Sequence, residues 1–217
     1  MTNIVQPNRL SGASTFFEGE VGANFSLVPA SDRFVPIILD AVAGLNEIEG
    51  LTVSTDSISS HLGGRAEIVF GALTTTFVRP ASSGAHIVQT VLASRGCPGW
   101  EGTFVPVSSV EAGADPVSAA VARFGNPAAS GVQIAAQFAF LPLAASDYIE
   151  TIAQTLVFLK AVGLRTTSKD FGTRVDGDAA HVLAAFSTIL THFGSPTGHV
   201  VLQATLVANS PSEEAFK

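Results

Sequence analysis

Sliding the chain along itself by 113 residues lays positions 21–99 on 134–212 without a gap. Fourteen of those 79 positions are identical, where composition alone gives roughly six. The matches sit where the chain changes direction. Phe25 and Pro29 fall on Phe138 and Pro142, Gly50-Leu51 on Gly163-Leu164, His86 on His199, and Pro98 on Pro211. The spaced run Gly64, Ala66, Val69, Ala72 falls on Gly177, Ala179, Val182, Ala185. A duplication constrains the fold strongly, because whatever one half forms the other must form again.

Each copy decodes in the same order. Ala23–Val28 alternates and ends at Pro29, as a strand does before a turn. Ser31 is placed to cap a helix in which Phe34, Ile37, Ile38, Ala41, Val42 and Leu45 keep helical spacing. Gly50 stops it. Leu51–Thr55 and Ile58–Leu62 read as a hairpin about Asp56-Ser57. A second helix carries Ala66, Val69, Phe70, Leu73 and Phe77 on one face, and His86–Leu92 is the last strand. The second copy repeats this with Ile149, Ile152, Leu156 and Leu159, then with Val182, Leu183, Phe186 and Leu190.

The expected fold is therefore α+β: two tandem ferredoxin-like βαββαβ repeats, each with a four-stranded antiparallel sheet in the order 4-1-3-2. The expected organisation is an N-terminal extension over 1–20, a first repeat over 21–99, a linker over 100–131 rich in Gly, Pro, Ser and Ala, and a second repeat over 132–212.

Composition narrows the function. The net charge of −7 and the lack of any Lys/Arg cluster argue against a nucleic-acid partner. A mild acid excess suits a cationic small molecule better than an anionic one. The longest apolar stretch, Val132–Ala145, is broken by Gln133, Gln137 and Pro142 and is too short to insert in a membrane. The opening residues MTNIVQPNRLSG lack the basic-then-apolar pattern of a secretory signal. With one cysteine, Cys97, there is no disulfide framework, and the cytoplasm is the expected compartment.

No catalytic residue is assigned. There is no Gly-rich phosphate loop before a lysine, no zinc-spaced Cys/His set and no nucleophile elbow. Cys97 sits at a strand exit before Pro98 and reads as a small hydrophobe. His86 and His199 start equivalent strands, which favours a structural hydrogen bond over a metal, so no metal site is expected. Asp176-Gly177-Asp178 lacks the rest of a calcium loop and reads as a turn, with Asp178 at a helix N-terminus. The polar run Ser54-Thr55-Asp56-Ser57 with Ser59-Ser60, and its counterpart from Thr167 to Thr173, suits hairpin turns. Ser60 and Thr173, however, lie past the turn inside the third strands, where the fold needs no hydroxyl. The expected sheet order sets them near Leu27 and Phe140, at the ends of the first strands.

These segments resemble the YkoF-like family of thiamine/hydroxymethylpyrimidine-binding proteins. The similar runs in the first copy are Phe25-Ser26-Leu27 with Pro29, Thr55-Asp56 with Ile58-Ser59, His86-Ile87-Val88 and Gly96-Cys97-Pro98-Gly99. In the second they are Gln137-Phe138-Ala139 with Pro142, Asp147-Tyr148, Asp176-Gly177-Asp178-Ala179 and Ala208-Asn209-Ser210-Pro211-Ser212. The resemblance implies two ACT-like repeats, each with a thiamine or pyrimidine pocket, no cofactor beyond that ligand and no enzymatic activity. It carries ligand contacts to Leu27 and Ser60 in the first repeat and to Phe140 and Thr173 in the second. It also implies a homodimer serving thiamine salvage or uptake. The sequence departs from the family at Val28 and Leu141, where a tyrosine is common, at Phe140, where leucine is usual, and at Ser57, where histidine is usual.

Two other readings stay open. One is an ACT-like regulatory or protein-interaction module that senses another small molecule in an inter-subunit groove. The other is an enzyme acting on a thiamine-related compound through Cys97 or Asp56, which predicts product formation and a pH-dependent rate.

Overall fold

Alternation along the first strand sends Val21, Ala23, Phe25, Leu27 and Pro29 to one face and Gly22, Asn24, Ser26 and Val28 to the other. In the computed structural model, which describes residues 20–96, 115–143, 145–194 and 198–212, the first set is buried. This strand, β1 (Glu20–Pro29), leads into α1 (Phe34–Val42) and a 3-10 turn over Leu45–Glu47. The hairpin β2 (Leu51–Thr55) and β3 (Ser60–Arg65) follows, then α2 (Ala66–Ala81) and β4 (Ile87–Arg95). After α3 (Pro116–Phe124) the pattern returns as β5 (Gln133–Pro142), α4 (Tyr148–Ala161), β6 (Arg165–Lys169), β7 (Gly172–Asp178), α5 (Ala179–His192) and β8 (Val200–Ala208). Shifted by 113, β1 lands on β5 and β4 on β8 residue for residue. Gly50 and Gly163 both hold positive φ, +78° and +81°, at the entry to β2 and beside the start of β6.

Each repeat pairs its strands in the expected order, but the two sets do not remain separate. The sheet is a single antiparallel layer, β2-β3-β1-β4-β8-β5-β7-β6. β4 and β8 would each be an edge strand, and pairing them satisfies both rows of backbone groups at once. The sequence pattern cannot show this, because period-2 alternation reports which face of a strand is buried and not what lies beside it.

Helices cover one face. The core joins the inward residues of all the central strands to Val69, Leu73 and Phe77 of α2 and to Val182, Phe186 and Ile189 of α5. Burying one such side chain contributes roughly 1.5–3 kcal/mol. The opposite face, with Asn24, Thr90, Leu92, Gln137, Leu141 and Gln203, is exposed along its strands.

Several local expectations change. Ser31 does not cap α1; its Oγ accepts the Arg33 N–H one turn earlier, and the N-cap position is Arg33. Phe34 and Ile149 are mainly exposed, so the buried stripes of α1 and α4 begin later than periodicity implied. Asp176-Gly177-Asp178 is the end of β7 and not a turn. Asp178 does cap α5, accepting the Ala180 N–H at 2.9 Å. Within the expected linker, α3 has a full N-cap, with Asp115 accepting from Ser118 N, and packs on α4 and α5. Its Ala120 and Phe124 are buried, and Phe124 meets Phe158 edge to face. Among the described residues no helix is long and apolar enough to cross a membrane.

Candidate functional site

β1 is longer than its neighbour on one side. It pairs with β3 only from Glu20↔Arg65 to Phe25↔Ser60, but with β4 on to Pro29↔Ile87. Ser26–Pro29 thus run past the end of the β1–β3 register, leaving main-chain groups on that side without a strand partner. The β2–β3 hairpin closes beside them. Asp56 Oδ1 accepts the Ile58 and Ser59 N–H groups at 2.7 and 2.9 Å, and Ser26 Oγ donates to the Ile58 carbonyl at 2.9 Å. Those two backbone N–H groups hold the exposed Asp56 carboxyl below the usual carboxylate range. Asp56 acts here as an ionised turn residue.

Ser60 stands opposite Phe25, and Leu27 lies two residues further along the same face of β1. That places Leu27 and Ser60 as diagonal neighbours across the strand pair, a spacing of about 7–8 Å between backbones. The Ser60 hydroxyl is half-buried and shares a hydrogen bond with Thr55 Oγ1 at 2.9 Å. Leu27 is buried.

The second repeat builds the same step. β5 pairs with β7 from Gln133↔Asp178 to Phe138↔Thr173, and with β8 on to Pro142↔Val200. Phe140 and Thr173 are diagonal neighbours just as Leu27 and Ser60 are. The four residues taken from the sequence therefore form two equivalent pairs, one per repeat and far apart in the sheet.

The other sequence candidates go to structural work or lie elsewhere. His86 and His199 each precede the last strand of their repeat, and the His86 ring donates from Nδ1 to the Ala208 carbonyl at 3.1 Å. His181 and His192 donate to the Pro127 and Pro116 carbonyls at 2.7 and 2.9 Å, tying α5 to the segment around α3. Among the described residues no group of three His, Cys, Asp or Glu side chains is placed to hold a metal. Cys97, with Pro98 and Gly99, lies outside the described residues.

Two concave regions lie on the surface of the described residues. One, of about 820 Å³, lies between α2, α5 and α3, bordered by Arg65, Thr74, Arg123 and Ser187, and contains none of the four residues. The other, of about 590 Å³, lies on the bare sheet face beside Phe138, Phe171, Gly172 and Arg174. It abuts the Thr173 end of β7.

Sequence reasoning did not single out three polar groups that organise the molecule. Arg95, buried at the end of β4, donates to the Leu190, Phe193 and Gly198 carbonyls. Burial pushes its pKa down to about 10. Arg174 grips Asp176 with two nitrogens, and Arg165 approaches the same carboxylate. Gln89 is fully buried on β4. The last was detectable as a polar residue in the buried phase of an otherwise apolar strand.

Comparison with known proteins agrees with this duplicated architecture. The model of the YKOF-related family matches twice, at residues 20–100 and 133–213. A protein of Bacillus subtilis (strain 168), named "Putative HMP/thiamine-binding protein YkoF", is 30% identical over 198 residues, covering 90% of this chain and 94% of that one. The chain belongs to the YKOF-related family.

Proposed function

We propose that the protein binds thiamine or its hydroxymethylpyrimidine half, one ligand per repeat, and releases it chemically unchanged. The observation that carries this reading is the repeated strand step. In each repeat a first strand outruns its neighbour, and a hydroxyl, Ser60 or Thr173, stands at the end of that neighbour. An aminopyrimidine offers an amino donor beside ring-nitrogen acceptors, which unpaired strand backbone plus one hydroxyl complements. Its flat ring suits the apolar side chains of Leu27 and Phe140. The relative's name, which couples thiamine with HMP, points to the same ligand class.

Binding without conversion is supported by the chemistry at the steps. A nucleophile needs a base within hydrogen-bond reach, whereas Ser60 has Thr55 as its hydroxyl partner and Asp56 is held by two backbone N–H groups. The role we assign is vitamin salvage or uptake in the cytoplasm by a homodimer. The exposed sheet face, with Leu92 and Leu141 about half-accessible, is available for a second copy.

A thermal-shift panel with thiamine, its phosphates and hydroxymethylpyrimidine tests the reading. Ligand at 100 times its dissociation constant raises stability by about 2.7 kcal/mol. No shift with any of them overturns it. Recovery of cleaved or phosphorylated thiamine after incubation would instead favour an enzyme.

A further inference from the structure

Gln89 carries an unmade hydrogen bond in the middle of the first repeat. Its side chain is fully buried, with Leu27 opposite it on β1 and Leu206 opposite it on β8. Above the sheet, its Nε2 donates to Thr76 Oγ1 at 3.0 Å. The Thr76 hydroxyl proton is already committed to the Leu73 carbonyl at 2.9 Å, so that oxygen can only accept. This fixes the orientation of the amide: the NH2 faces Thr76, and Oε1 is left buried without a donor.

The fold does not require this arrangement. Under the 113-residue shift Gln89 becomes Leu202 and Thr76 becomes Ile189, both fully buried. Leu202 lies opposite Phe140, as Gln89 lies opposite Leu27. One repeat thus packs this layer with two aliphatic side chains, and the other packs it with a polar pair and an orphan acceptor. An orphan acceptor in an apolar layer weakens the fold unless something donates to it. The orphan stands beside a residue of the first strand step and has no counterpart beside the other.

We infer that Gln89 determines the specificity of the first repeat, its Oε1 accepting a hydrogen bond from the exocyclic amino group of the bound pyrimidine. The inference rests on the pyrimidine-binding reading and adds that the two pockets are unequal. The first, with Leu27 and Gln89, selects the amino substituent. The second, with Phe140 and Leu202, lacks this acceptor and holds the ligand through its strand backbone, Thr173 and apolar contact. Oε1 is enclosed, so a ligand reaches it through a local opening of the layer that covers it.

Calorimetry with hydroxymethylpyrimidine and with the analogue bearing hydrogen in place of the amino group tests this. The first variant is Gln89→Leu with Thr76→Ile, which imports the pair that the second repeat already packs. The second is Gln89→Met, which keeps the shape and the Thr76 hydroxyl but removes the amide oxygen. For both variants, one of two sites loses about tenfold in affinity for the amino ligand. The affinity for the analogue stays at the wild-type value, and the other site is unaffected. Unchanged affinity for the amino ligand, or an equal loss for both ligands, overturns the role of Gln89 while leaving pyrimidine binding intact. A wild-type chain that binds neither compound overturns the underlying reading, and this inference with it.

Discussion

Val91 and Ala204 stand directly opposite each other where β4 meets β8, and each is the other's counterpart under the 113-residue shift. A local twofold axis therefore passes through this pair, and the two repeats are related across a continuous sheet. α2 and α5 pack side by side over the same junction. Neither repeat has a core closed off from the other, so the chain should unfold in one cooperative transition. Guanidinium titrations followed by fluorescence and by far-UV circular dichroism should coincide. Two separated transitions would contradict the shared core.

The twofold is also written in the caps. Arg95, at the end of β4, donates to the Leu190 carbonyl in the last turn of α5 and to the Phe193 carbonyl just past it. Asn209, just past β8, donates to the Ala81 and Ala85 carbonyls at and beyond the end of α2, both at 2.8 Å. Each repeat thus closes a helix of the other. Arg95→Met should strand two buried acceptors and one part-buried acceptor and lower stability by about 2–4 kcal/mol. Asn209→Ala, more exposed, should lower it by about 1 kcal/mol. Denaturation midpoints at constant slope check both.

Asp178 links the segment before β5 to α5. Its carboxylate accepts from Ser130 N, Ser130 Oγ, Gly131 N and Ala180 N at 2.8–3.0 Å. Burial alone would raise its pKa, but the donors at Ser130, Gly131 and Ala180 together outweigh it and hold the group below the usual value. A depressed folded pKa means that the stabilisation is present above the unfolded carboxylate pKa near ~3.9. It is lost as pH falls through the lower folded value. Asp178→Asn should therefore cost stability at neutral pH, by roughly 1–3 kcal/mol, and flatten the acid limb of the stability–pH curve. A variant whose acid limb matches wild type would show that Asp178 is not the linked group.

Ser60→Ala and Thr173→Val test the ligand steps. Each should weaken its own site by about 0.5–1.5 kcal/mol, a few-fold to about tenfold in affinity. Fold stability should barely change, because neither substitution removes a large core group. The effects should add in the double variant, since the two steps lie in separate repeats. If both single variants retain affinity and stoichiometry, the hydroxyls are hairpin residues only.

The boundary between what sequence and tertiary structure each decide is drawn by range. The 113-residue self-match, the turn glycines Gly50 and Gly163, and the buried stripe Ala66, Val69, Phe70, Leu73, Phe77 all follow from local periodicity and backbone freedom. They determined the element order, the duplication and the faces that would be buried. The pairing of Ser60 with Thr173 across repeats was legible for the same reason. The joining of β4 to β8 was not, because hydrogen-bonded neighbours 113 residues apart leave no mark on either strand's alternation. Nor were the roles of Arg95 and Gln89. In sequence Arg95 is one more charged residue at a strand end, and Gln89 one polar residue in a strand. Only the packing of α5 onto the end of β4 turns the first into a cap. Only the Thr76–Leu73 hydrogen bond, which commits the hydroxyl proton, turns the second into an acceptor with a defined direction.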